Sequence, residues 1–408
     1  MLIRSPHSGV PEWPERQRKT RMPNPGCGKP SSSNPSARVR LLMIATSYPS
    51  DLKDWRGVFM RHLALALARR GELELRLWSP PGTLPERAEY VATSAERSWL
   101  QALMRGGGIA HLARNNKFHG LVLALKLLTH LRRVFHREAQ VDLYHINWLQ
   151  NALPLPKNRK PLLVTVLGTD MQLLRLPGMT ALLRRALAGR PAAICPNADW
   201  MAADLRKRFG DIAVVRCVPF GIEPRWYQVS RATTSPAKWL CVSRVTADKL
   251  GDLIAWCKPH FAVGTRELHL LGPMQEKIAL PDWIHYHGAT DPDALSQQWF
   301  PSAAGLITLS RHSEGRPQIM LEAMAAGLPI IASTIPAHDD LLRGGENGWL
   351  CGSSGQVGAA LNFIEQETDA IKVTSRAKQW VTQNVGTWDD CATRYVQIYR
   401  ELLKRDLL

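Results

Sequence analysis

Two carboxylates, Glu314 and Glu322, stand in the stretch SEGRPQIMLEAMAAGLPIIAS (Ser313–Ser333). Pro317 suits the first turn of a helix, having no N–H to leave orphaned, and Gly327 suits its end. Between them Ile319, Met320, Leu321, Ala323, Met324, Ala325 and Ala326 are apolar nearly all round, which predicts a buried helix. A buried ionised Glu322 is costly unless it is paired or hydrogen-bonded. It lies on the face leading back past Gln318 to Gly315, at the helix N-terminus. That terminus, with unsatisfied N–H groups and the positive end of the helix dipole, favours an anion such as phosphate. A ligand with phosphates at Gly315, Arg316, Pro317 and Gln318 and a vicinal diol on Glu322 accounts for both features. Nucleotides have both.

The elements that must position these residues read as strands alternating with helices. Val39–Pro49 begins with a buried strand, Arg56–Gly71 has helical spacing and a closing glycine, and Leu73–Trp78 is the next strand. Further strands are expected in Val141–Asn147, Pro161–Gly168, Ala192–Pro196 and Val214–Ile222. After a break near Arg225–Ala237 the pattern restarts, with strands in Lys238–Arg244, Glu267–Gly272, Ile284–Gly288, Ala304–Ser310 and Leu328–Ser333. Strand–helix–strand units at this pitch give parallel sheets. The expected fold is therefore α/β, two Rossmann-like doubly wound domains facing each other across a cleft, with ligands at the carboxyl ends of the strands. The boundaries predicted are a disordered extension over 1–37, a first domain over 38–224 completed by a C-terminal helix at 388–408, and a second domain over 225–387.

Composition narrows the classes. At 408 residues, 45% hydrophobic and 21% charged, the chain has room for two cores. No uncharged apolar run approaches the roughly 18–20 residues of a membrane span, and the first 37 residues lack the apolar segment of a signal peptide. Seven cysteines stand singly, which predicts reduced thiols in a cytoplasmic protein rather than a disulfide framework or zinc site. The net charge of +17 is one-sided: Met1–Phe220 holds 34 Lys+Arg against 15 Asp+Glu, and the remainder 18 against 20. Such a field favours an anionic partner. Leu103–Phe118 carries Gly106–Gly108 without the Lys-Ser/Thr of a P-loop, and is expected to be a flexible acceptor-side loop. The helix that follows sets His119, Lys126, His130, Arg133 and Arg137 opposite leucines, either a solvated basic face or a surface for an anionic membrane. No nucleic-acid reader motif accompanies the charge, so no nucleic-acid partner is expected.

SEGRPQIMLEAMAAGLPII resembles the E-x7-E signature of retaining GT-B glycosyltransferases of the family-four type, the glycosyl transferases group 1. The resemblance implies that Glu314 addresses a donor sugar and Glu322 a ribose. WLCVSRVTADKLGDL resembles the family's strand and basic element, which implies that Arg244 and Lys249 grip the donor diphosphate. VVRCVPFGIEPRWY resembles the linker into the second domain, with Phe220 where Asn is usual, and Trp388–Arg405 resembles the final crossing helix. YPSDLKDWRGVFMRHLALALARRG matches the first strand–loop–helix, with Gly57 on the acceptor side. One departure stands out: Leu167 occupies the place where a donor-facing His is common. Asp170 is the candidate to replace it, or the leaving phosphate does that work. His145, expected at the cleft end of its strand, and His312 are each readable as a site residue or as a structural hydrogen-bonder. The implied activity is transfer from a nucleotide-sugar co-substrate, with no cofactor and no metal, to a saccharide acceptor, lipid-linked in view of the charge, as in polysaccharide assembly at the inner membrane face. The competing reading is a catalytically silent paralogue that holds a nucleotide as a scaffold.

Overall fold

The computed structural model describes residues 38–406 except 52–53, 110–111, 113–115, 233–234 and 367–368, so the expected extension over 1–37 lies outside the described residues. Among the described residues thirteen strands form two sheets. The first contains β1 (Val39–Ile44), β2 (Leu73–Trp78), β3 (Ala88–Tyr90), β4 (Leu143–Asn147), β5 (Leu162–Val166), β6 (Ala192–Pro196) and β7 (Val214–Val215), in the order β3-β2-β1-β4-β5-β6-β7. The second contains β8 (Ala237–Val242), β9 (Arg266–Leu271), β10 (Ile284–Gly288), β11 (Ala303–Thr308), β12 (Ile330–Ser333) and β13 (Trp349–Cys351), in the order β10-β9-β8-β11-β12-β13.

All pairings are parallel. Each sheet therefore reverses its winding once, between β1 and β4 and between β8 and β11, and ligands of such folds collect at those crevices. Every residue of β4, β5 and β6 is buried, as expected of parallel strands covered on both faces. Alternate residues feed two layers. Leu42, Ile44, Ile146 and Val164 pack with helices Lys117–Arg137, Met179–Leu187 and Ala202–Phe209. Leu41, Met43, Leu143 and Leu163 pack with helices Val58–Ala68 and Trp388–Asp406. The last helix of the chain thus completes the core around the first sheet. In the second sheet Leu240 and Leu306 face helix Gln318–Ala325.

Four segments differ from their sequence expectation. Strands β3 and β13, three residues each, are too short for a period-2 pattern to register. Val214–Ile222 is strand only at Val214–Val215; beyond it the chain crosses to the second sheet and Ile222 bridges to Thr387. Gly106–Gly108 ends helix Ser94–Arg105: the N–H groups of Gly107 and Gly108 bond Met104 O and Leu103 O. Both glycines have φ of 83°, the left-handed geometry of a helix stop.

Candidate active site

The carboxyl ends of the two sheets bound two adjoining cavities of about 250 and 280 Å³, which share Phe59, Arg244 and Gln318. The second, called the polar cavity below, carries the charged side chains Arg244, Lys249 and Glu314. Arg244 follows β8, and Lys249 lies on the short helix Ala247–Leu250, capped by Thr246, whose side chain accepts from Lys249 N at 3.2 Å. Glu314 lies in the loop after β11, which is tied down by bonds from Arg311 N and Ser310 Oγ to Asp248 O. These attachments bring Lys249 Nζ to 2.5 Å from Glu314 Oε1. Burial pushes the Glu314 carboxyl up, but the Lys249 ammonium outweighs it and leaves the acid below its ordinary range. Burial draws Lys249 down and Glu314 partly restores it. The pair is ionic. Burial, then the Lys249 charge, hold His312 below its usual value, so this imidazole on the cavity wall is neutral at pH 7.

The smaller cavity is mostly apolar, lined by Trp55, Phe59, Val242, Leu271, Pro273 and Trp388 among others, with Glu322 on its wall. Helix Gln318–Ala325 begins one residue later than expected, with Pro317 as its cap, and Gly327 ends it at φ 72°. Glu322 has no hydrogen-bond or ion-pair partner among the described residues, and its carboxyl is pushed up to about 8, first by burial and then by the neighbouring Glu223, against a weaker pull from Arg225. Glu223 itself faces Arg225 at 3.2 Å and His62 at 3.5 Å. An acid held near neutrality in an apolar wall, without a partner, is a group waiting for donors.

Between the cavities runs the loop Ser313–Pro317, and it is closely engaged by the first domain. Gly168, at φ 89° after β5, allows an approach in which an added Cβ would lie 2.1 Å from Gly315 N. Trp200 Nε1 donates to Gly315 O at 2.9 Å, and Asn197 packs so tightly that a Cβ on Gly315 would meet its Oδ1 at 2.3 Å. Arg316 lines the polar cavity, yet its buried guanidinium is held by Asp340 at 2.5 Å and Asp199 at 3.5 Å. Its charge is spent on the two domains rather than offered to the cavity. Gln318 donates to Gly221 O at 2.9 Å and fastens the helix start to the linker.

The first-domain candidates separate. His145 lies on β4, fully buried, hydrogen-bonded to Thr165 Oγ1 at 2.8 Å and to Tyr399 OH at 2.6 Å. It lines neither cavity, because the period-2 alternation of β4 turns it towards the layer of the last helix rather than the cleft. Asp170 is also buried away from both: its oxygens accept from Leu149 N at 2.6 Å and Leu167 N at 2.8 Å. Burial pushes it up to about 6 against those bonds. It shapes the turn rather than facing the cavity, so Leu167 itself is what the wall presents there. Gly57, at φ 70°, abuts Ser47 and Tyr48 and starts the helix that carries Phe59 and His62 to the cleft.

Sequence reasoning missed Trp148, Asn197 and Thr169, which line the polar cavity where β4, β6 and β5 end. Their only signal was position one or more residues beyond a strand end. Trp148 takes φ 68°, the one non-glycine with positive φ among the described residues, a strain that such folds concentrate at functional sites. Phe220 also gains an account: it stacks on Phe59 at 5.6 Å and lies 5.4 Å from Trp388, an aromatic joint between linker, first helix and last helix. Among the described residues no group of three His, Cys, Asp or Glu side chains is placed to hold a metal.

Two doubly wound sheets, a cleft between them and a C-terminal helix returning to the first core are the GT-B glycosyltransferase fold. Residues 238–366 match the family model of glycosyl transferases group 1, so the second domain carries that family's sequence pattern. Among solved structures the chain is similar to sucrose-phosphate synthase from Thermosynechococcus elongatus, at 16% identity and TM-score 0.67 over 90% of this chain and 100% of that one. It is also similar to HepE of Anabaena in complex with UDP and glucose, at 12% identity and TM-score 0.62, covering 90% and 100%. A glycosyltransferase from Rickettsia africae gives 13% identity and TM-score 0.63, covering 90% and 99%. No curated protein matches the chain in sequence.

Proposed function

We propose that the chain is a retaining, metal-independent glycosyltransferase that moves a sugar from a nucleotide-sugar donor to a saccharide acceptor, lipid-linked, in cell-surface polysaccharide assembly such as lipopolysaccharide or exopolysaccharide. The observation that carries the reading is the arrangement of Glu322, Arg244 and the Lys249–Glu314 pair along one continuous cleft at the β8/β11 crevice. The nucleoside fits the apolar cavity, its ribose diol donating to Glu322; the diphosphate lies against Arg244 and Lys249; the sugar reaches Glu314. UDP bound to the similar HepE structure supports the same class of ligand.

In the reaction the bond from the sugar's anomeric carbon to the diphosphate oxygen breaks, and its electron pair stays on that oxygen. The acceptor hydroxyl oxygen bonds the same carbon. Charge builds on the departing diphosphate, where two cations stabilise it, the term expected to dominate catalysis. The hydroxyl proton passes to the departing phosphate; Leu167 offers no base, and His145 and Asp170 are buried behind the wall.

Thermal stabilisation by a panel of UDP-, GDP- and ADP-sugars tests the reading. One donor class is expected to raise Tm, with the effect lost in Glu322→Ala and Arg244→Ala. Anomeric coupling constants in the NMR spectrum of the product should match those of the donor. Stabilisation that survives replacement of both Arg244 and Lys249 overturns the assignment; binding without turnover on any acceptor favours the silent scaffold.

A further inference from the structure

Helix Lys117–Arg137 buries Gly120, Leu127, Leu131 and Val134 against the first sheet. Its opposite face is not polar at the start. Phe118 (76% exposed), Leu121 (57%), Val122 (45%) and Leu125 (56%) follow one another at i, i+3, i+4 and i+7, a stripe turned to solvent. The same face then changes character to exposed Arg132 and Arg133, with exposed Lys117 and Lys126 beside the stripe. The helix has five Lys and Arg and no acid. The basic face read from the sequence is partly consumed inside the protein: Arg137 and His130 turn to Glu96, and Lys126 lies over the Trp99 ring. Arg132 and Arg133 have no acidic partner among the described residues.

A second helix of the same layer repeats the pattern. Leu176 and Leu182 are 53% and 55% exposed at the start of Met179–Leu187, with exposed Arg175 and Arg185 nearby. Topology says which end of the molecule this is. All strands of the sheet run one way, so the helices leading into β4 and β6 run back against them, and their first turns lie at the carboxyl ends of the strands. That is the end where Trp148, Leu167 and Asn197 face the cleft. Both apolar patches therefore stand at the rim of the active-site opening.

We propose that this face is a membrane-docking surface: Phe118, Leu121, Val122, Leu125, Leu176 and Leu182 enter the acyl boundary of an anionic bilayer, while Lys117, Arg175 and Arg185 beside them, and Arg132 and Arg133 roughly 20 Å further along the first helix, meet its headgroups. An apolar edge fringed by unpaired cations complements a negatively charged lipid surface in both its parts. The proposal deepens the reading above in one respect, since it gives a lipid-linked acceptor a direct route from bilayer to cleft. It does not depend on that reading for its test.

The full chain is mixed with vesicles of phosphatidylcholine alone or with about a third phosphatidylglycerol, and the bound fraction is measured by flotation. Binding to the anionic vesicles is expected, weakened more than about tenfold in the triple variant Phe118→Ser, Leu121→Ser, Leu125→Ser. Arg132→Glu with Arg133→Glu is expected to weaken it by about thirtyfold or more, with steep salt dependence. Tm and nucleotide-sugar stabilisation should be unchanged in both variants, since neither touches the cleft lining; single replacement of Phe118 serves if the triple variant melts early. Equal binding of wild type and variants, or no preference for the anionic vesicles, overturns the proposal. So does a stable dimer in solution that the triple variant converts to monomer, which would make a second copy the occupant. Vesicle binding without nucleotide-sugar binding sinks the catalytic reading and leaves this surface standing; the reverse result does the opposite.

Discussion

Replacing Glu322 by Gln should stabilise the ligand-free protein while crippling donor binding, and the size of both effects follows from the site. The carboxyl titrates near 8 in the fold against 4.5 as a free side chain. The folded protein therefore holds this proton more tightly than the unfolded chain, and the sign is fixed: stability contributed by the neutral acid is fully present below about pH 4.5 and is lost as pH rises towards 8. Linkage gives a cost of under about 1 kcal/mol at pH 5 and about 3 kcal/mol at pH 7; partial exposure of the side chain reduces these to about half. Gln keeps the shape and removes the ionisation. Melting wild type and Glu322→Gln at pH 5, 6, 7 and 8 isolates the term, because every other titrating group cancels in the difference. The variant should match wild type at pH 5 and exceed it by a few degrees at pH 7–8. With saturating nucleotide sugar the order should reverse, since two hydroxyl bonds to a carboxylate, about 1.5–3 kcal/mol each, give way to a single neutral bond to the amide oxygen, worth about 1 kcal/mol. Donor affinity of wild type should also rise with pH between 6 and 8 and be flat in the variant. A stability difference independent of pH would show that the acid is already ionised or solvated, and the ribose assignment would lose its physical basis.

Lys249→Met should cost roughly 3–5 kcal/mol, because it strands the buried Glu314 carboxylate. Adding Glu314→Gln should recover most of the Tm but none of the donor binding, which separates pairing from function. Gly168→Ala should cost more than Gly178→Ala as read by Tm. Both have φ above 70°, worth about 1–3 kcal/mol of strain, but only at Gly168 does the new methyl strike the Gly315 backbone. The Gly168 variant should also bind donor more weakly, because the loop it displaces forms the polar cavity.

What was legible in the sequence was whatever has a local cause. The alternation of buried strands and helices predicted two doubly wound domains because parallel strands covered on both faces must be apolar throughout, as in LLVTV of β5. Glu322 was legible because an acid in an apolar helix contradicts its surroundings. His145 was misplaced for a reason the sequence does not hold: which face of β4 looks towards the last helix is decided by residues some 250 positions later, where Tyr399 OH hydrogen-bonds it. Asp170 was the candidate to replace the His missing at Leu167, but its two backbone donors are fixed only when the turns after β4 and β5 come together. Arg316 lies beside Glu314 in sequence and looked like a phosphate ligand. Its partners, Asp199 and Asp340, are remote in the chain.

The displacement of Arg316 from donor ligand to interdomain clasp changes how the site works as a whole. Loop Ser313–Pro317 contributes Glu314 to the cavity, and the same loop makes contacts that join the domains there: Gly315 with Gly168 and Trp200, and Arg316 with Asp199, while Asp340, which Arg316 holds within the second domain, accepts from Trp200 N at 2.9 Å. The position of Glu314 and the contact between the domains are thus set by the same loop. Opening the cleft must pull Gly315 from Trp200 and Asp199 from Arg316, and neither loss leaves Glu314 where it was. On the proposed reading, a donor phosphate that replaces Glu314 as the partner of the Lys249 ammonium would act on the same five-residue loop that contacts the first domain.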